Sequence, residues 1–515
     1  MTKNITTKEY SVVEREGQLK ITLNTEIFIP EEAPVRLTDA QLEELDYRKL
    51  YKAFSSKGRN PVTDPRVLFK VLAYASQQHI YSNRQIEDAC RNRIDMIWLL
   101  NGETAPDHST IARFKQRCAD EIEDLFYQYV RLLEEQGETD HEVVFIDGTK
   151  MESRAGRYTF CWRGTTEKNL TKVKEAVQKL TGLKTLHGLQ KRLLKTKPSD
   201  MVSGKGKHKS REQKEWEALD GLRQRWEKYE ESLKIMGATR NSYSKTDPDA
   251  TFMRMKEDRM RNGQLKPAYN VQIGVNSEYI TGIEVFTNRT DYGTLEPFLR
   301  EMEEKHGRKY EKITADAGYE SLDNYLYLEE NGQISFIKPQ NHEIAKTKKF
   351  RSQIGRAENM TYDAETDSYS CAVGRTLFLY RESKDKYSKY NVTVSHYRCT
   401  DCSGCSKRTE CCMVADPNKP KELRVRKQYE QKRAESEANI MTDEGIHLRV
   451  CRSIQVEGAF GLLKNDFGFR RFLTRGKKNV RTELFLLGLG FNLKKRWKKQ
   501  QNGRLQTHLS VVDSA

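Results

Sequence analysis

The chain has 515 residues and a formal net charge of +16, because 90 lysines and arginines outnumber 74 aspartates and glutamates. At roughly 100 to 200 residues per domain, this length predicts about three or four domains and excludes a single small module. Apolar residues make up 36% of the chain and charged residues 32%. This composition supports folded cores and excludes wholesale disorder.

No segment has the features of a membrane span or a secretory signal. The longest apolar run, residues 484–491, is much shorter than the about 20 residues that cross a bilayer, and residues 1–10 contain no apolar run. We therefore expect a cytoplasmic protein with no membrane partner, whose ten cysteines are thiols or metal ligands rather than disulfides. The positive charge makes nucleic acid the first expected partner.

The N-terminal part is predicted to be helical. Residues 1–40 form a strand-like lead-in and residues 41–136 a compact helical domain. Helix starts are predicted at Thr63-Asp64-Pro65, at Ser82 and at Ser109, where capping residues precede apolar residues at helical spacing. Short helices joined by polar turns form either a helix-turn-helix that reads DNA or a small bundle, and the pattern leaves both open.

Two buried strands within residues 141–339 are each followed by an acidic residue. Residues 143–146 end at Asp147, and residues 312–315 end at Asp316. Between these strands we predict a helical hairpin insert at about residues 165–240, a β-hairpin turning at residues 276–278 and a helix at residues 295–304. This order predicts an α/β fold, a mixed sheet flanked by helices, with a site at the carboxyl edge of its strands. A single acid after a strand is more often a turn former than a catalyst.

A third acid, Glu457, lies in a helix predicted to start near Arg452. The core stripe of this helix is Val456, Phe460, Leu463 and Phe467. Glu457 therefore lies about 100° round from that stripe, on an edge shared with Lys464. Gly458 and Gly461 each lower helix propensity by about 1 kcal/mol relative to Ala, which favours close approach of a partner to this surface.

Three segments resemble the active-site blocks of bacterial insertion-sequence transposases with a DDE triad. They are residues 145–150 (FIDGTK), 314–319 (TADAGY) and 456–461 (VEGAFG), the last followed by Lys464. The resemblance covers most of the chain. Residues 61–72, 82–98 and 106–110 are similar to the N-terminal domain of these transposases, and residues 246–251 and 267–270 match stretches before the second strand. Relatives also carry a Tyr and an Arg that fall here on Val450 and Ser453, next to Arg449 and Arg452.

The resemblance implies a ribonuclease-H-like catalytic domain that begins with residues 141–339. It implies that Asp147, Asp316 and Glu457 are catalytic and hold Mg²⁺ or Mn²⁺, with two ions expected. Such hard cations prefer carboxylate oxygens, and a pair about 3.5 to 4 Å apart can activate the attacking oxygen and stabilise the leaving oxygen of a phosphodiester. Asp247 and Asp249 are rival candidates, since an Asp-Pro-Asp sequence is also typical of a turn or loop cap.

The implied activity is that of a transposase, which cuts double-stranded DNA at the ends of a mobile element and joins it to target DNA, acting as a homo-oligomer. The alternatives are a catalytically silent DNA-binding regulator and a metal-dependent nuclease without strand transfer. Residues 436–500 contain the helix of Glu457 and a very basic stretch, and residues 501–515 form a tail. DNA contacts are expected from Arg452, Lys464, Arg470, Arg471, Arg475, Lys477 and Lys478.

Residues 340–435 form a polar, turn-rich insert that contains most of the cysteines. Cys399, Cys402, Cys405 and Cys411 follow a C-x2-C-x2-C-x5-C pattern, which is typical of a structural zinc site. Related transposases carry an earlier cysteine that corresponds to Cys371. The predicted zinc ligands are therefore Cys402, Cys405 and Cys411 with either Cys371 or Cys399, and the alternative is an insert of unmetallated thiols.

Overall fold

The computed structural model describes residues 25–54, 61–204, 208–255, 263–412, 416 and 419–509. Residues 1–24 of the predicted lead-in and residues 510–515 of the tail lie outside the described residues. The strand-like prediction is wrong for residues 25–40, which form a 3-10 turn at Thr25–Phe28 and the start of helix α1, Pro34–Glu43. Pro34 fixes the backbone angle that the first turn of a helix requires.

The N-terminal part is a group of short helices. They are α1, α2 (Arg48–Lys52), α3 (Pro65–Gln77), α4 (Asn83–Asn92), α5 (Ile94–Leu100), α6 (His108–Arg117) and α7 (Ala119–Glu135). Asp64 caps α3 as predicted, because its carboxylate accepts from the N–H groups of Arg66 and Val67. The cap of α6 is Asp107 rather than Ser109, since the Asp107 carboxylate accepts from the Thr110 N–H at 2.6 Å.

The central sheet confirms a mixed α/β architecture. The strands of this region are β1 (Val143–Glu152), β2 (Phe160–Trp162), β3 (Ser242–Ser244), β4 (Thr251–Arg254), β5 (Leu265–Asn276), β6 (Tyr279–Phe286), β7 (Lys312–Ala315) and β8 (Ile334–Ile337). The sheet runs β4-β5-β1-β7-β8, with β6 also paired to β5. Strands β1, β7 and β8 are parallel, whereas β5 is antiparallel to β1, β4 and β6.

Local sequence accounts for the predicted β-hairpin. Ser277 and Glu278, the two central turn residues between β5 and β6, have φ angles of 50° and 73°. Positive φ at both positions gives a turn whose twist matches that of the strands it joins. The insert after β2 is also helical as predicted, but it has three helices rather than two: α8 (Arg163–Thr181), α9 (Leu186–Lys195) and α10 (Arg211–Met236).

Helices cover the central sheet. After β6 come α11 (Leu295–His306), which agrees with the prediction, and α12 (Leu322–Glu330). One buried cluster joins β1 and β7 to α11 and α12 through residues such as Ile146, Phe298, Ile313 and Tyr325. The opposite face of the sheet packs against the N-terminal helices and the C-terminal part of the chain.

The cysteine-rich insert contains a short helix, α13 (Lys348–Arg351), and a five-stranded antiparallel sheet. Its strands are β9 (Thr361–Asp363), β10 (Ser368–Ser370), β11 (Thr376–Lys384), β12 (Thr393–Cys399) and β13 (Glu422–Val425), with helix α14 (Arg408–Cys411) between the last two. A small core that includes Tyr369, Leu377 and Tyr397 lies on one face.

The C-terminal part is helical. It contains α15 (Lys427–Met441), α16 (Asp443–Arg452), a π-helical turn at Ser453–Glu457, α17 (Gly458–Gly461), a second π-helical turn at Leu462–Asp466 and α18 (Lys477–Gln501). The helix of Glu457 therefore starts well before Arg452, because Thr442 caps α16 by accepting from the Gly445 N–H.

Helix α18 lies at the centre of the molecule. Residues 484–493 are all buried, against α3, α7 and β6. A Cβ atom at Gly490 would lie 2.6 Å from the backbone nitrogen of Gln77, so glycine is required where α18 meets the end of α3. In the described part of the chain, no helix combines the length and apolar character that crossing a bilayer requires.

Candidate active site

Asp147 and Asp316 lie side by side at the carboxyl edge of two neighbouring strands. The parallel ladder between β1 and β7 ends with the pair Ile146 and Ala315, so each acid is the next residue along its own strand. The sequence predicted that β1 ends at Asp147, and this is wrong. The strand continues to Glu152 because it stays paired with β5 beyond the point where β7 stops.

A third carboxylate, Asp291, lies in this region and was missed by the sequence analysis. Its Oδ1 accepts hydrogen bonds from Asn270 Nδ2 at 2.7 Å and from Gln272 Nε2 at 2.9 Å, both on β5. A Cβ atom at Gly318 would lie 3.0 Å from Asp316 Oδ1 and 3.5 Å from Asp291 Oδ2. The glycine after Asp316 therefore keeps both carboxylates close to the loop backbone.

Glycine is also required beside Asp147. A Cβ atom at Gly148 would lie 2.8 Å from Asp291 Oδ1, so a side chain there would displace that carboxylate. The only sequence signal for Asp291 is a polar acid a few residues after β6. It does not follow the strand directly, and so the pattern of an acid at a strand end does not identify it.

The negative charges of these three acids all affect the pKa of one buried tyrosine, Tyr319. Burial raises the pKa of Tyr319 well above its usual value, and the negative charges of Asp291, Asp147 and Asp316 add to this effect, while Arg452 opposes it. The Tyr319 hydroxyl donates to Gln272 Oε1. The three carboxylates and Arg452 are therefore close enough to act electrostatically on the same group.

Glu457 lies on the edge of its helix as predicted, but it contacts its own helix rather than the acid pair. Its carboxylate accepts from Arg452 at 2.9 Å and from Ser453 Oγ at 3.1 Å, and its side chain is 53% exposed. The space beside Gly458 and Gly461 is open, with no atom within 4 Å of a Cβ position. Arg452, the partner of Glu457, also acts electrostatically on Tyr319.

Oxygen donors dominate the acid region, and this donor set suits a hard divalent cation such as Mg²⁺ or Mn²⁺. Within the described residues, however, no three or more His, Cys, Asp and Glu side chains lie in metal-binding geometry. Of the predicted triad, Asp147 and Asp316 lie next to each other, whereas Glu457 forms an ion pair with Arg452. The chemistry of the acid pair fits a divalent cation, whereas the Glu457 carboxylate is held by Arg452 and Ser453.

The rival acids have structural contacts. Asp247 is fully buried and accepts hydrogen bonds from Ser153 Oγ at 2.5 Å, Tyr269 OH at 2.9 Å and the Gly476 N–H at 3.1 Å. Asp249 Oδ2 accepts from the Lys477 N–H at 2.8 Å. The two carboxylates thus hold the first turn of α18, where negative charge is stabilised by the helix dipole.

Two comparisons with family models identify the chain. A transposase DDE domain matches residues 370–497, which contain Glu457, and a DUF772 transposase domain matches residues 23–117, which contain α1 to α6. These two matches each cover less than half of the chain, and together they support an insertion-sequence DDE transposase. Comparison with curated proteins gave no match, and comparison with solved structures gave none either. A transposase DDE domain implies an enzyme that processes DNA.

Several cations of the transposase expected to contact DNA have partners within the chain. Lys477 pairs with Glu284 at 3.0 Å, and Lys478 pairs with Asp120 at 2.9 Å. Arg470, Arg471 and Arg475 donate to backbone carbonyls. These residues remain predicted DNA contacts. The contacts of Arg471 and Arg475 hold the segment before α18 against the loop after β1.

Six cysteines of the transposase line one small cavity in the insert: Cys371, Cys399, Cys402, Cys405, Cys411 and Cys412. All ten cysteines, each within the described residues, are free of disulfides. The Lys421 N–H donates to Cys402 Sγ at 3.4 Å, and burial raises the pKa of Cys399 to about 11. Both candidate fourth ligands, Cys371 and Cys399, line the cavity with the predicted set, but no three of these described thiols lie in metal-binding geometry.

Proposed function

We propose that this transposase cuts DNA at the ends of its mobile element and joins the freed end to target DNA, with Asp147, Asp316 and Glu457 as the catalytic carboxylates. The observation that supports the proposal is the pairing of β1 with β7, after which the first two acids lie side by side, in a chain that matches a transposase DDE domain. The strand order β6-β5-β1-β7-β8, with parallel β1, β7 and β8, supports a ribonuclease-H-like fold.

The proposed site would hold Mg²⁺ or Mn²⁺ through these three carboxylates, with Asp291 as a neighbouring donor. When bound, two such cations supply charge that activates the attacking oxygen and stabilises the leaving oxygen. The protein contributes a rigid sheet edge for Asp147 and Asp316, and amide donors on β5 that fix Asp291. The exposed Glu457 side chain turns from Arg452 toward the sheet, and Arg452 then becomes available to bind a phosphate.

The test uses purified full-length protein, labelled duplexes of the element ends, a target plasmid and Mg²⁺ or Mn²⁺, with sequencing of the products. Asp147→Asn, Asp316→Asn and Glu457→Gln are each expected to lower cleavage at least about 10²-fold, comparable to removing another electrostatic clamp on a transition state. DNA affinity and the unfolding midpoint should change little. Asp323→Asn is the matched control, because that carboxylate contacts Ser388 and Lys389 of the insert instead.

The outcomes separate the alternatives. Joined products identify a transposase, cleavage without joined products identifies a nuclease, and binding without cleavage identifies a silent regulator. Loss of cleavage in Asp249→Asn with full activity in Asp316→Asn would show that the wrong acids are assigned.

We also propose that the cysteine cavity binds one structural Zn²⁺ through Cys402, Cys405, Cys411 and either Cys371 or Cys399. Zinc prefers four thiolates in tetrahedral geometry, and a backbone N–H such as that of Lys421 stabilises a thiolate ligand. Native mass spectrometry should detect one zinc, which Cys402→Ser removes and Cys161→Ser retains. Protein without bound metal would contradict this proposal, and comparing Cys371→Ser with Cys399→Ser identifies the fourth ligand.

A further inference from the structure

A cleft of about 810 Å³ separates the N-terminal helices from the loop before α18. Its lining includes Arg84 on α4, Arg113 and Lys115 on α6, Arg154 after β1 and Arg471 before α18. Among the described lining residues, Glu483 is the single acid. Glu483 has a structural contact, because its Oε2 accepts from the Leu473 N–H at 2.9 Å and holds one wall of the cleft in place.

Two of these cations have no hydrogen-bonded partner among the described residues, although Arg113 lies close enough to Asp107 to help lower the pKa of that carboxyl. Arg84 and Arg113 are exposed, and within the described part of the chain neither forms an ion pair or hydrogen bond. This distinguishes them from the cations of α18, which are largely paired. Arginine presents donors in a planar fork that matches phosphate geometry.

The remaining cations of the cleft add positive charge at a fixed position. Lys115 Nζ donates to Asn83 Oδ1 at 3.0 Å, and burial lowers the pKa of Lys115 to about 8. Arg154 donates to the Leu473 carbonyl, and Arg471 donates to the carbonyls of Ser153 and Ala155. An anion in the cleft would stabilise the charged form of the buried lysine.

The start of α4 also faces the cleft. Ser82 precedes this ten-residue helix, but its side chain accepts no capping hydrogen bond, and Ser82, Asn83 and Arg84 all line the cleft. The first N–H groups of a helix attract anions, because they carry the positive end of the helix dipole. The start of α4 and the arginine side chains therefore both favour an anionic ligand.

We propose that this cleft binds the sugar-phosphate backbone of duplex DNA, which rests on the proposed function. Arg154 follows Asp147 by seven residues along and just beyond β1, so it lies within roughly 25 Å of the acid pair at strand spacing. One helical turn of B-form DNA is about 34 Å long. A single duplex can therefore contact the cleft and reach the acid pair.

The test measures binding of a fluorescent duplex of about 30 base pairs and arbitrary sequence by anisotropy, from about 50 to 300 mM KCl, without divalent cation. Each lost phosphate contact should reduce the slope of log affinity against log salt by about 0.9. We expect the double variant Arg84→Gln/Arg113→Gln to reduce that slope by about 1.8 and to bind at least about tenfold more weakly near 100 mM salt. Arg211→Gln/Arg225→Gln is the charge-matched control, since both arginines are exposed on α10 and neither lines the cleft.

The unfolding midpoint of the double variant should stay near that of the parent, because both side chains are exposed and neither forms an ion pair or hydrogen bond with a described residue. A slope and affinity equal to those of Arg211→Gln/Arg225→Gln would overturn the proposal. Failure of the proposed function is a separate result: if Asp147→Asn and Asp316→Asn retain cleavage, the catalytic assignment fails whatever the cleft binds. If those variants lose cleavage while the cleft variants bind normally, only the cleft assignment fails.

Discussion

Glu138 is the buried counter-charge for the end of α18, and replacing it with glutamine tests whether that basic helix is part of the core. Its side chain has no exposed surface. It accepts from Tyr279 OH at 2.7 Å, Arg496 at 2.9 Å, Lys499 at 3.3 Å and the Gln506 N–H at 2.7 Å. Both cations lie in the very basic stretch that the sequence shows within residues 436–500.

Glu138→Gln keeps the shape of the side chain but removes its charge. Lys499 is 1% exposed and Arg496 is 13% exposed, so the variant leaves two buried cations without their counter-ion. Breaking one side of a buried ion pair typically costs about 3 to 5 kcal/mol. The control is Asp120→Asn, which breaks the exposed pair with Lys478 and should cost about 0 to 1 kcal/mol.

Urea titration and thermal unfolding, followed by circular dichroism near pH 7, measure both variants against the parent. Burial raises the pKa of Glu138. Hydrogen bonds from Tyr279 and Gln506 and the charges of Lys499 and Arg496 lower it by more, so the pKa of Glu138 is below the usual 4.5. The stability that Glu138 contributes is therefore complete above about pH 4.5 and is lost as the pH falls below it.

Equal, small losses of stability in Glu138→Gln and Asp120→Asn would refute this reasoning. Tighter DNA binding in Glu138→Gln without a change in stability would show that Arg496 and Lys499 are free to contact DNA instead.

Three further outcomes follow from single contacts. Asp291→Asn should weaken Mn²⁺ binding several-fold in titration calorimetry, whereas Asp323→Asn should not, and equal affinities would remove Asp291 from the site. Asp249→Asn should lower the free energy of unfolding by about 1 kcal/mol, because it removes a charged cap from α18, and cleavage should persist; lost cleavage at unchanged stability would contradict this. Burial lowers the pKa of His306 to about 4 from 6.5, so the unfolded chain binds a proton first as the pH falls. Stability should drop by up to about 3 kcal/mol between pH 6.5 and 4, and His306→Gln should flatten that dependence in urea titrations; an unchanged profile would refute it.

Local patterns predicted most of the central sheet. β7, the β5–β6 hairpin and α11 each carry their own periodicity and turn residues, so the structure agrees with the sequence there. The extension of β1 beyond Asp147 was not predictable in this way. Gly148, Thr149 and Lys150 are polar or small, and they form a strand only because β5 pairs with them from far along the chain.

The candidate site likewise contains residues that local patterns predict and residues whose positions depend on distant parts of the chain. Asp147 and Asp316 follow apolar strands directly and could be found from the sequence. Asp291 is held by side chains of β5, which no local pattern encodes. The pairing of Glu457 with Arg452 depends on a π-helical turn, whose wider spacing a regular helical pattern does not reveal.

The position of α18 also changes how the net charge of the chain is understood. From the sequence, an apolar run flanked by lysines and arginines is typical of a basic C-terminal arm. In the structure the run is buried, and its flanking cations extend to acids of distant elements, as Arg481 does to Glu123 on α7 and Lys495 does to Glu278 in the β-hairpin turn. Pairs of this kind contribute no net positive field at the surface.

The surplus of +16 must therefore reside on cations without such partners, and the exposed arginines of the cleft are among them. A polyanion is attracted to unpaired charge, and this is the physical reason to look for DNA at the cleft before the basic helix.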